Sequence, residues 1–120
     1  MKVYKGYTAG GRRYVIVRKY GEDGQSEQLD PCFWIRMHSP DGFNWGYGGS
    51  GPAQLALAIC YDVLGDREQA EQLYQRFKFR VIGTLTGDSW ELTESAVRAH
   101  LESLAGEPAF GQRDTEEENQ

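Results

Sequence analysis

The chain has 120 residues, about one small domain, with 39% apolar, 12% aromatic and 26% charged residues and a net charge of −5. The aromatic load excludes a wholly disordered chain, and no apolar run approaches the roughly 18 residues of a membrane span. Met1-Lys2-Val3-Tyr4 opens straight into alternating sequence, without the apolar core of a secretory signal.

Charge is unevenly distributed. The first twenty residues carry Lys2, Lys5, Arg12, Arg13, Arg18 and Lys19 and no acid, interleaved with Tyr4, Tyr7, Tyr14 and Tyr20. Cations alternating with aromatics are one way to hold a single nucleic-acid strand. The same pattern also describes a solvated outer sheet face, and the acidic total disfavours nonspecific nucleic-acid binding. Residues 2–7 and 13–20 are rich in β-branched and aromatic side chains and flank Thr8-Ala9-Gly10-Gly11, which predicts a hairpin. In the second run Val15 and Val17 share one face. Residues 21–31 read as a long polar connection.

Cys32 and Cys60 are the only cysteines. With no secretory signal they read as free thiols of a reducing cytoplasm. Adding His38 and His100 yields no metal-ligand spacing, so no metal or other cofactor is expected. Residues 32–38 alternate, with Phe33, Ile35 and Met37 on one face, and predict a third strand. Ser39-Pro40-Asp41-Gly42 is a turn, and the alternation of Phe43, Trp45 and Tyr47 predicts a fourth strand. Two successive hairpins imply an antiparallel sheet with one buried face.

At Gly51 the period changes. Pro52 suits a first helical position, and Ser50 or Gly51 can cap it. The helix to Leu64 is apolar almost all round, as expected of a central buried helix, and Gly65 can end it. Asp66 with Gln69 opens a second helix, carried on its apolar spacing to about Leu85. Gly87-Asp88 breaks it, and Thr93 caps a third helix whose Val97, Leu101 and Leu104 face inward. The prediction is an α+β domain over residues 1–104, with an N-terminal antiparallel sheet of about four strands followed by three helices packed on one face. Residues 105–120 form an acidic flexible tail.

The junction between sheet and helix is rich in glycine. Gly46, Gly48 and Gly51 satisfy G-x-G-x-x-G, yet no βαβ unit surrounds them. Pro52 stands where a P-loop needs Lys and where a nucleophile elbow needs Gly. What remains is a set of backbone N–H groups at a helix start, able to bind an anion or carboxylate. Ser50, Gln54 and Gly49 would lie close by, with Arg36 approaching and Trp45 or Tyr47 as an apolar wall. The competing account uses the glycines for a sharp turn and close packing. A hydrolytic arrangement would draw on Ser50, His38 or His100 and a carboxylate such as Asp41 or Asp62, but their spacing fixes no geometry.

The block Trp45-Gly46-Tyr47-Gly48-Gly49-Ser50-Gly51-Pro52-Ala53-Gln54-Leu55-Ala56, followed by Tyr74, Phe77-Lys78 and Trp90, resembles a small uncharacterised family of bacteria, phages and plasmids. The resemblance spans roughly residues 1–104. It implies a cytoplasmic setting and an origin on a mobile element, and it carries no activity, cofactor or catalytic residue. The expected function is a non-enzymatic interaction protein that binds a host or phage protein. The alternatives are a small-ligand or nucleotide binder at the Gly-rich helix start, and a single-strand nucleic-acid binder at the basic hairpin.

Overall fold

A computed structural model describes residues 1–21 and 24–107. The elements run β1 (Lys2–Ala9), β2 (Arg12–Lys19), β3 (Ser26–Gln28), α1 (Ser50–Leu64), α2 (Arg67–Arg80), β4 (Trp90–Thr93) and α3 (Glu94–Ala105). The four strands form one antiparallel sheet in the order β3-β2-β1-β4, and with three helices the fold is α+β.

The first hairpin follows its sequence. Ala9 pairs with Arg12, and the two intervening glycines take φ of 61° and 79°, the positive values that a tight two-residue hairpin loop requires. Strand alternation turns Tyr4, Gly6, Val15, Val17, Trp90 and Leu92 toward the helices. The opposite face carries Lys5, Tyr7, Tyr14, Arg18 and Glu91. There Tyr7 stacks on Tyr14 with ring centroids 5.4 Å apart.

The two outer strands differ from those predicted. Residues 32–38 and 43–47 form no strand. Cys32 sits at φ 60°, a left-handed conformation that ends any extended run, and its carbonyl accepts from Ile35 and Arg36 N–H in a tight turn. Asp30 Oδ1 accepts the Cys32 N–H at 2.9 Å and fixes that turn locally. Gly46, at φ 91°, bends the chain again just after Trp45. The sheet is completed instead by Ser26–Gln28, inside the stretch read as a connection, and by Trp90–Thr93, inserted between the last two helices.

The helices start where the sequence marks them. Gly65 closes α1 in the left-handed conformation (φ 66°), Asp66 accepts from Gln69 N–H at 3.0 Å, and Thr93 accepts from Ala96 N–H at 3.1 Å. α2 ends at Arg80 rather than near residue 85. The β-branched pair Val81-Ile82 leads into a short 3₁₀ turn over Ile82–Thr84. Every residue of α1 from Gly51 to Cys60 is buried, so this helix is the centre of the core. The predicted tail lies, from residue 108 onward, outside the described residues.

Two further groups tie sheet to helices. Tyr4 Oη donates to Asp62 Oδ2 at 2.6 Å and Lys2 Nζ reaches the same oxygen at 3.1 Å. Burial and that carboxylate push the Tyr4 hydroxyl pKa far up, so it stays a donor. On the other diagonal, Trp90 lies flat over Gly6, where a methyl group would overlap the indole. Gly6→Ala should therefore cost about 1–3 kcal/mol through overpacking, and Ile59→Asp several kcal/mol through an unpaired buried charge. Urea unfolding checks both, with the Ile59 variant expected to be the less stable of the two.

Candidate functional site

Residues 31–49 wrap over the N-terminal half of α1 and one face of α2, and a single side chain holds much of that wrap in place. Gln54 is fully buried in an otherwise apolar helix. Its Oε1 accepts the N–H groups of His38 (2.6 Å) and Ser39 (3.1 Å), and its Nε2 donates to the carbonyls of Pro31 (2.6 Å) and Arg36 (3.1 Å). Two donors and two acceptor sites are the full capacity of an amide side chain. Gln54 is thus a clamp for the segment and has nothing left to offer a ligand.

Trp45 is committed in the same way. It is buried, donates Nε1–H to Gly87 O at 3.0 Å, and meets Trp90 edge-on at 5.4 Å. Arg13 stacks 4.3 Å over its ring and donates to Asn44 Oδ1 at 2.7 Å. The glycines of the junction also pack closely. A methyl group on Gly51 would strike Asn44, and one on Gly49 would strike the Tyr47 ring. Gly46 N–H donates to Ile82 O at 3.1 Å and docks the junction on the turn after α2. At the start of α1, Pro52 has no N–H and Ala53 N–H already donates to Gly49 O, which leaves at most the amides of Ser50 and of the buried Gly51. Arg36 does not reach this helix start; its guanidinium lies 3.7 Å from Glu71 on α2.

What the wrap does bring together is a polar cluster on α2. His38 Nε2 and Tyr74 Oη are 2.7 Å apart, and Gln75 Nε2 donates to the same hydroxyl at 3.2 Å. The imidazole and the phenol thus share one hydrogen bond, with Gln75 fixing the position of the hydroxyl. Burial, with the positive charges of Arg36 and Lys78, lowers the His38 pKa from its ordinary 6.5. Burial likewise lowers that of Lys78. The same two segments carry exposed apolar side chains, Phe33, Trp34, Met37 and Tyr47 from the wrap and Phe79 from α2, with Trp34 meeting Tyr61 of α1 edge-on at 5.1 Å. Sequence reasoning named Arg36 and Tyr47 but missed Tyr74, Lys78 and Phe79, whose helical spacing signals only an amphipathic helix.

The basic hairpin is divided. Arg12, Arg18 and Lys5 point to the outer sheet face, and Lys5 pairs with Glu91. Lys2, Arg13 and Lys19 point the other way, toward Asp62, Asp88 and Glu27. The hydrolytic candidates are also dispersed. Ser50 and Asp62 lie at opposite ends of α1, about 18 Å apart along its axis. His38 is bound to Tyr74, and His100 packs near Phe77. Cys32 and Cys60 are free and buried, the Cys32 thiol pKa pushed up to about 12 by burial and the Asp30 charge, and no metal-binding cluster occurs among the described residues. A groove of about 420 Å³ between α2 and α3 carries Arg76 and Arg98. Arg98 is spent on Glu94 and Val63 O, and Arg76 donates to Leu104 O at 2.9 Å while its Nε is buried without a partner.

Residues 4–103 match the model of a family of unknown function, DUF6166. The chain belongs to that family. No curated protein and no solved structure matches it. The family spans both the sheet and the helices, so the clamp, the wrap and the α2 cluster all lie inside the DUF6166 region.

Two outcomes follow from this geometry. Gln54→Leu leaves two N–H and two C=O groups of the wrap without their partner and a buried apolar side chain in place of the amide, and should lower stability by about 2–5 kcal/mol. Amide exchange should then accelerate most in residues 31–39; a ligand-binding glutamine would instead be replaced with little change in melting temperature. His38 stays neutral when folded while the unfolded chain takes up a proton near pH 6.5. Its contribution is therefore present above that pH and lost as pH falls through the depressed folded value. Melting temperature should decline between pH 7.5 and 5.5, and His38→Asn should flatten that decline.

Proposed function

We propose that this DUF6166 chain is a non-enzymatic interaction protein that binds another protein through the wrap and the adjoining end of α2. One observation carries the reading. Of the eight large apolar side chains exposed among the described residues, five (Phe33, Trp34, Met37, Tyr47 and Phe79) come from these two segments. Aromatic side chains, Met and Arg are the residue types enriched where proteins meet, and Arg36 stands exposed among them.

The wrap is also suited to present them. It is irregular in backbone yet pinned by Gln54, so its side chains are held in place before a partner arrives, which limits the ordering entropy of binding. In this reading the chain is a phage- or plasmid-derived accessory factor acting in the cytoplasm on a host protein, an origin supported by the resemblance of the block at residues 45–56. The nucleic-acid alternative is weakened by the division of the hairpin cations between two faces. The ligand alternative is weakened by the commitment of Gln54 and Trp45 to internal contacts.

The test is capture from bacterial lysate with the wild type beside Trp34→Ser and Met37→Ser, after nuclease treatment. Both positions are more than half exposed, so the variants should melt within a few degrees of the wild type. A genuine partner, identified by mass spectrometry and remeasured pure, should bind them about 30-fold or more weakly, the effect of losing a hot-spot side chain. Equal binding by all three proteins would reject this face, and capture that disappears with nuclease would favour nucleic acid.

A further inference from the structure

Along α2, Arg67, Glu71, Tyr74 and Lys78 recur at three- and four-residue spacing and form one stripe. Residues 36–38 run beside it and answer two of its members. Arg36 faces Glu71 at 3.7 Å, and His38 meets Tyr74 at 2.7 Å. Lys78, one turn further on, has no counterpart. The residue is only 7% exposed, the burial falling on its stem; the ammonium reaches solvent, and among the described residues it makes no hydrogen bond and no ion pair. Its contact is with the Phe79 ring, 4.3 Å away. A buried stem with its charged head at the surface is the usual arrangement of a lysine, and here no carboxylate meets that head.

Opposite Lys78 lies the Gly-rich junction. Gly48 rests against the Phe79 ring, and Gly83 fits between the carbonyl oxygens of Tyr47 and Lys78. Residues 44–51 contain no acidic side chain, so the junction supplies no counter-charge. Glu71 is the stripe's only carboxylate, and it is shared between Arg36 and Arg67. Positive charge therefore gathers here without compensation, although the chain as a whole is acidic.

We propose that Lys78, with His38 and Arg36 nearby, anchors a binding site for an oxyanion, a carboxylate or phosphate group received from solvent at its ammonium, beside the Phe79 ring. The ammonium supplies the charge-assisted hydrogen bond, and Phe79 supplies an apolar wall. The absence of a side chain at Gly48 lets the Phe79 ring pack against the junction and hold that wall in place. An anion lodged there would also offset the two cationic charges that act on His38, so its arrival would register on the imidazole. This goes beyond the protein-docking reading: it needs no partner protein and can be tested without one.

The experiment is an NMR titration of the intact chain with inorganic phosphate and, separately, with acetate, each at ionic strength matched by chloride. Saturable shifts at the Lys78 side chain and the His38 ring are expected. Saturation with phosphate alone identifies a phosphate ligand, whereas saturation with acetate as well identifies a carboxylate-tolerant site. Lys78→Met should weaken the apparent affinity by about tenfold or more, as loss of a charged hydrogen bond does, and Lys78→Arg should retain it. Where Lys78→Met fails to fold, Lys78→Gln takes its place. Shifts that follow ionic strength without saturating would falsify the site. Saturation that persists in a folded Lys78→Met or Lys78→Gln variant would assign the anion elsewhere and equally overturn it.

Discussion

The arrangement of this molecule depends on four hydrogen bonds made by one amide. A segment from Pro31 to Ser39 with no helix or strand of its own lies against the core helix and needs partners for the backbone groups it turns inward, each of which costs about 1–3 kcal/mol if left unpaired. Gln54 meets four of those needs at once from the middle of the core helix. That places Arg36 and His38 against α2, where Glu71 and Tyr74 receive them. It also leaves Phe33, Trp34 and Met37 standing outward, because the backbone between the anchored points turns its remaining side chains away. The exposed aromatic face is in this sense a consequence of the clamp.

Sequence patterning was reliable wherever local chemistry and tertiary structure agree. The Gly10-Gly11 hairpin, the Gly65 stop, and the Asp66 and Thr93 caps each depend on one residue satisfying its neighbours, and each is found where the spacing puts it. Residues 32–47 misled because alternation of large and polar side chains is necessary for a strand but not sufficient. Pro31 and Pro40 bracket the first run, each lacking a ladder N–H, and the Asp30 side chain pulls Cys32 into a left-handed turn. Trp90–Thr93 escaped notice because four residues beside a helix cap carry too few periods to show alternation. What makes it a strand is the free edge of β1, a nonlocal fact.

The candidate site was legible only in part, for a related reason. The Gly-rich junction stood out in sequence, and it does border the cluster, but its glycines are used for close packing against Tyr47, Asn44, Phe79 and Gly83. Gln54 and Trp45 looked available because a polar amide and a large ring near a helix start are common ligand contacts. Their engagement with carbonyls dozens of residues away is invisible to spacing. Lys78 was hidden in the opposite way. A lysine in the last turn of a helix is ordinarily solvated and favoured by the helix dipole, and only the approach of the wrap and the 3₁₀ turn buries this one.

Net charge is therefore a poor guide to what this protein can bind. The six cations of the first hairpin, the most conspicuous electrostatic feature of the sequence, are divided between two faces, and four of them have carboxylate partners at 3.1–3.9 Å. Exposed pairs of that kind hold strands together weakly and are screened by salt, but they do cancel the field a distant partner would feel. Lys78 is the reverse case: one charge at the end of a buried stem, with an aromatic ring for company and no carboxylate to cancel it. The lower effective dielectric of a partly buried site makes its field stronger at short range than that of several solvated arginines. The arrangement of charge around α2 at short range is thus the opposite of what the overall charge of −5 suggests.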